Sequence, residues 1–169
     1  MPGIELVAID IAILDILQRD AGISNQALAE RVFLSPSPCL RRVRRLEDSG
    51  IIQRQVALVD PAAVGLGLLA YVNVKLEKRR QVADGRYAFD AFRDDVQDWP
   101  EVVACYAMTG DLDYLMRVQA RDLEDFSRFV MDRLLKHPAV LDIRSSFALD
   151  RIKETTALPL RLDQAAVRQ

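Results

Sequence analysis

Hydrophobic positions change their period along this chain, helical before residue 50 and alternating after residue 68. Ile9, Ile13, Ile16 and Leu17 fall on one face of a first helix, which stops near Asp20-Ala-Gly22. Ser24 can cap a second, with Leu28, Ala29 and Val32 turned inward, and Phe33-Leu34 make a brief turn. A third helix follows: Ser35 or Ser37 suits its cap, Pro36 or Pro38 its first turn, and Gly50 its left-handed end. At about 100° per residue, Arg41, Arg42, Arg44 and Arg45 gather on one side, with Leu40, Val43 and Leu46 roughly opposite. Two short helices, a turn and a basic last helix describe a helix-turn-helix whose small core the first helix completes. Ile51–Val59 then has the β-branched content of a strand, broken by Asp60-Pro61.

Beyond Leu68 the hydrophobic positions alternate. Leu68, Ala70, Val72, Val74 and Leu76 alternate as in a strand with one apolar face. Phe89, Phe92, Val96 and Trp99 return to helical spacing until Pro100. Val102–Thr109 and Tyr114–Ala120 read as strands around a Gly110–Asp113 turn. Leu123, Phe126, Val130 and Leu134 mark a helix ended by His137-Pro138, and Leu141, Ile143, Phe147 and Leu149 a last strand. The order βαββαβ predicts an α+β, ferredoxin-like domain: an antiparallel sheet with two helices on one face. The other face, left apolar and bare, predicts dimerisation. The expected division is 1–52 helix-turn-helix, 53–67 strand and connector, 68–160 ferredoxin-like oligomerisation domain, and 161–169 a frayed polar tail.

Composition narrows the function. Of 169 residues half are hydrophobic and 28% charged, enough for a packed core and against disorder. A net charge of −2 means that any affinity for nucleic acid must come from a local patch. Two distant cysteines, no secretory leader and no apolar run of membrane-spanning length lead us to expect reduced thiols in a cytoplasmic protein, away from the membrane.

The arginine helix alone could be a solvated charged face; its place as the last helix of a helix-turn-helix favours the DNA major groove instead. There Ser35, Pro36, Ser37 and Cys39 approach base edges at the helix start. Arg41, Arg42 and Arg45 reach bases or phosphates, and Arg44 a phosphate at the rim. Cys39 could also sense oxidants from this helix, but a small buried residue fits it far better. The Gly110-Asp111-Leu112-Asp113 turn is either an ordinary hairpin or a loop whose carboxylates and backbone N–H groups hold an amino acid. Gly65-Leu-Gly67-Leu-Leu-Ala70 looks like a dinucleotide fingerprint but precedes a strand, not a helix. His137, the single histidine, suits a charged cap at a helix end. No metal cluster, cofactor motif or catalytic constellation stands out, so we expect no enzyme.

Several motifs, in order, carry a family resemblance. They are Ile9-Asp10…Ile13-Leu14…Leu17, Ile23-Ser-Asn25…Leu28-Ala-Glu-Arg-Val32, Leu34-Ser-Pro-Ser-Pro-Cys-Leu-Arg-Arg-Val43…Arg45-Leu-Glu47…Gly50-Ile-Ile52, Pro100-Glu-Val102…Cys105-Tyr106…Thr109-Gly-Asp111…Asp113-Tyr-Leu115 and Ile152–Leu160. From about residue 4 to 160 the chain resembles the Lrp/AsnC, or feast/famine, family of prokaryotic transcription regulators. The resemblance implies an N-terminal DNA-binding domain, a C-terminal ferredoxin-like domain, and assembly into dimers, tetramers or octamers on double-stranded DNA. It also implies an amino-acid effector between subunits near the glycine-aspartate turn. By that carry-over Gly110, Asp111 and Asp113 are effector residues, joined by Tyr106, Thr109 and Leu112, with Ser145 and Ser146 on the last strand. Three positions depart from the family. Phe33 stands where the turn usually has glycine, Leu112 where many relatives have tyrosine, and Ala139 where glycine usually follows the proline. Phe33 keeps open a ligand sensor that acts through protein partners without binding DNA. The sirohaem decarboxylases, which share this architecture, are the enzymatic alternative, and here only one histidine is available for it.

Overall fold

The computed structural model describes residues 5–77 and 85–160; the expected tail 161–169 lies outside the described residues. The chain forms two compact units, one of Met1–Leu58 with Lys153–Gln169 and one of Val59–Ile152.

In the first unit three helices, α1 (Ala8–Leu17), α2 (Asn25–Arg31) and α3 (Pro36–Asp48), surround a core of Ile13, Leu14, Leu28, Ala29, Val32, Cys39 and Leu46. Ser24 caps α2 by accepting from the Ala27 N–H at 3.2 Å. Gly50, at φ +76°, closes α3: its N–H donates to the Glu47 carbonyl and the Ile52 N–H to the Leu46 carbonyl. Phe33 makes the corresponding turn between α2 and α3 at φ +56°, with the Leu34 N–H donating to the Ala29 carbonyl at 2.9 Å. The described end of the chain returns to this unit rather than staying with the second domain, as 68–160 had it. The Gln18 side-chain amide both accepts from the Leu158 N–H (2.6 Å) and donates to its carbonyl (3.3 Å), and Leu160 packs against the core.

The strand expected over Ile51–Val59 does not form. Residues 51–67 hold no strand, and Val56, Leu58 and Val59 stand exposed. β-branched content favours extended backbone, but a ladder needs a partner strand, and none lies alongside among the described residues.

The second unit is the expected βαββαβ. Strands β1 (Leu68–Leu76), β2 (Val102–Ala107), β3 (Tyr114–Ala120) and β4 (Val140–Phe147) form an antiparallel sheet of order β2-β3-β1-β4. Two helices, α4 (Ala88–Asp95) and α5 (Leu123–Phe129), cover one face. A short 3-10 turn extends α4, and a wider π turn, Val130–Leu134, extends α5. Ala70, Val72, Val74, Met116 and Val118 meet Phe92, Trp99, Phe126, Phe129 and Leu134 in the core. β2 and β4 each stop two residues short of expectation, leaving Leu149 exposed. The helix-free face is mixed rather than bare and apolar. Alternation and register put Tyr71, Asn73 and Lys75 there beside Leu115 and Arg117 on one flank and Asp142, Arg144 and Ser146 on the other.

Candidate nucleic-acid interface and ligand cleft

Helix α3 starts from Ser35 in extended backbone, with Pro36 first, Ser37 second and Pro38 third. The Asn25 side-chain amide donates to the Pro36 carbonyl at 2.9 Å and ties this start to α2. The buried seam runs through Cys39, Val43 and Leu46, not Leu40, Val43 and Leu46; Cys39 is fully buried and Leu40 is exposed. Cys39 therefore cannot approach base edges, and burial raises its thiol pKa, so it is a small core residue.

That shift in phase redistributes the arginines. Arg42 and Arg45 lie beside the seam and reach a fully buried carboxylate on α1. Arg42 Nη1 donates to Asp10 Oδ1 at 2.9 Å and Arg45 Nη2 to Asp10 Oδ2 at 2.5 Å. Asp10 also accepts from the Val7 N–H at 3.2 Å, at the start of its own helix. Burial alone would raise its pKa, but the Val7 amide and the two guanidinium groups outweigh it and hold the carboxyl below its ordinary value. Of the three arginines expected to reach bases or phosphates, Arg42 and Arg45 are ion-paired to Asp10 while keeping part of each side chain exposed. Arg41 and Arg44 are exposed and point away from the seam on the side of Ser37. Pro38, Arg41, Arg42 and Arg45 line a shallow groove of about 300 Å³.

The second site lies at the end of the sheet. A cleft of about 300 Å³ is lined by Asn73 and Lys75 of β1, Met108, Thr109, Asp111 and Leu112 of the turn, and Asp142 and Arg144 of β4. Gly110 makes the turn at φ +105°, where only glycine is unstrained. Lys75 stands opposite Asp142 and Asn73 opposite Arg144 in the ladder, so two cations and two carboxylates face one space beside two apolar side chains. Balanced charges of this kind suit a zwitterion, and Met108 and Leu112 an apolar substituent.

Among the residues expected here, Thr109, Asp111 and Leu112 line the cleft with Gly110 between them. Asp113 does not: it is buried, and its Oδ2 accepts from the Leu76 N–H at 2.8 Å, so it ties the turn to the end of β1. Tyr106 is exposed and outside the lining. Ser145 and Ser146 cannot act as a pair, because Ser145 stands opposite Val72 of the helix-covered face and Ser146 opposite Tyr71 of the open face. Asn73, Lys75, Met108, Asp142 and Arg144 were missed. The polar positions alternating with Val72, Val74 and Leu76 were visible, but not their register against β4.

The remaining motifs are structural. His137 is buried and accepts the Ala139 N–H at Nδ1 (3.1 Å), which leaves Nε2 to donate to Asp95 at 3.1 Å. Burial lowers its pKa despite the aspartate, so the expected cationic cap is a neutral clamp. Gly65 and Gly67 lead into β1, not a helix. Among the described residues no cluster of three or more metal-ligating side chains occurs, and no helix is long and apolar enough to cross a membrane.

Comparison with known proteins identifies the two domains. Residues 6–53 match the winged helix-turn-helix DNA-binding family and residues 69–158 the Lrp/AsnC ligand binding domain. The chain is 41% identical to the DNA-binding transcriptional activator DecR of Escherichia coli K12, over 90% of this chain and 97% of that protein. It is 38% identical to the leucine-responsive regulatory protein of the same strain, over 95% and 94%. A transcriptional regulator from Neisseria meningitidis, solved as a complex with L-Met, superimposes with a TM-score of 0.85 at 46% identity, covering 92% of this chain and 97% of its own. These relatives are transcriptional regulators, not enzymes, and the chain belongs to the Lrp/AsnC family of DNA-binding transcriptional regulators.

Proposed function

We propose that this protein is a sequence-specific transcriptional regulator whose hold on double-stranded DNA changes when an amino acid occupies the cleft beside Gly110. The observation that carries the reading is the outward face of α3, where Ser37, Arg41 and Arg44 stand exposed on a helix anchored through Cys39, Val43 and Leu46. Such a helix fits the major groove, with hydroxyls toward base edges and guanidinium groups toward bases or phosphates. The L-Met bound to the Neisseria relative and the zwitterion-matched lining of this cleft support an apolar amino acid as effector. Assembly of copies into a homo-oligomer would let that ligand act by linkage, favouring one assembly and so changing how many α3 helices reach DNA together.

Two measurements test this. A duplex from the upstream region of the protein's own gene should shift with steep salt dependence, and Arg41→Ala or Arg44→Ala should each flatten the log–log slope by about 0.9. A salt-insensitive shift, or none, would refute DNA binding. Thermal-shift screening against the twenty amino acids should raise the melting temperature for apolar ones, because a ligand selective for the folded state stabilises it; Asp111→Asn should remove the response.

A further inference from the structure

Asp10 is an unusual residue for its position. It lies fully buried in an apolar stretch of α1, yet it is ionised, and its two oxygens take one arginine each from α3. An isolated buried carboxylate is costly, so the three groups must be treated as one unit. The second partner makes the arrangement informative. A single arginine would satisfy the carboxylate, whereas two guanidinium groups one helical turn apart on α3 repel each other unless an anion lies between them. Each also keeps N–H groups that the aspartate does not use. Arg42 is about one-third exposed and Arg45 nearly half, and both line the groove with Pro38 and the exposed Arg41.

We infer that Asp10 is a positioning residue for DNA recognition: from inside the fold it fixes the side chains of Arg42 and Arg45, so that with Arg41 they present a preformed seat for a backbone phosphate. The inference rests on the DNA-binding reading and deepens it. Asp10 cannot touch DNA, because no part of its side chain reaches the surface. Its influence on sequence discrimination therefore runs through the arginines that it holds. Preformed arginines give discrimination because a misplaced duplex meets the rigid fork in the wrong geometry; mobile arginines follow phosphates on any sequence.

The test is Asp10→Asn. The asparagine oxygen can still accept from the Val7 N–H, so the start of α1 is preserved, but its amide is a poor partner for guanidinium donors and both arginines are released. A preferred duplex is enriched from a random-sequence pool by the wild-type protein, and affinities for it and for a scrambled duplex are measured across a salt series. We expect binding to the scrambled duplex to tighten and its salt slope to steepen by about 0.9, since one negative charge is gone. The preferred-to-scrambled ratio should fall about tenfold, about 1.4 kcal/mol, because the freed arginines no longer hold the duplex in one register. An unchanged ratio overturns the inference. An equal loss on both duplexes also overturns it, because that is what a purely structural role would give. Should the wild type enrich no sequence, the DNA-binding reading itself fails, a different result. If Asp10→Asn folds poorly, the same comparison is made between Phe33→Gly and Phe33→Gly/Asp10→Asn, the glycine restoring stability at the turn.

Discussion

Phe33 holds a left-handed backbone with its ring 95% exposed, so the residue costs strain and returns almost no burial. The left-handed region costs a non-glycine residue about 1–2 kcal/mol, and glycine's extra freedom in the unfolded chain takes back about 0.5–1 kcal/mol. Phe33→Gly should therefore stabilise the first unit by roughly 0.5–1 kcal/mol, seen as a higher urea midpoint at unchanged m-value; a lower midpoint would mean that the ring packs against something. This strain was legible in the sequence, because the turn needs a positive φ and phenylalanine is not glycine. Cys39 was not. Leu40 and Cys39 fit the same helical seam with Val43 and Leu46, and hydrophobicity favours leucine, but packing chose the smaller side chain. The role of Asp10 was equally hidden, since its partners lie two helices away on α3.

At the level of elements, what could be read locally was read correctly. Alternation in β1 and helical spacing in α4 and α5 are properties of adjacent residues, and these elements formed where expected. Ile51–Val59 failed because a strand is made by its neighbour as much as by its own residues. The same reasoning separates the two aspartates of the turn, which look alike in sequence. Asp113 satisfies the buried Leu76 N–H, where β1 changes register against β4. Asp113→Ala should cost about 1–3 kcal/mol by leaving that donor unpaired, and Asp113→Asn, which keeps an acceptor, should cost less. Asp111→Asn should leave thermal stability unchanged and alter only the response to ligand. If Asp113→Ala melted with the wild type, the Leu76 N–H would not depend on that carboxylate.

For the whole molecule, the chain passes between its two units twice, once near Leu58 and again near Lys153. The division into consecutive domains missed this because Lys153–Leu160 carries no periodic pattern; its attachment rests on the Gln18 amide and on the Leu160 contact with the first core. The first unit is therefore stabilised by residues that follow the second in sequence. Trp99 allows the consequence to be measured, because it is the chain's one tryptophan and belongs to the sheet-domain core. A protein ending at Ile152 should lose thermal stability in far-UV circular dichroism, which reports the helices of both units, while the Trp99 fluorescence transition stays in place. The Gln18→Ala variant should move the same transition in the same direction by less, since exposed hydrogen bonds contribute little. Coincident displacement of both signals would show that the two units unfold as one cooperative body, and the returning segment would then stabilise the protein as a whole rather than its DNA-reading half.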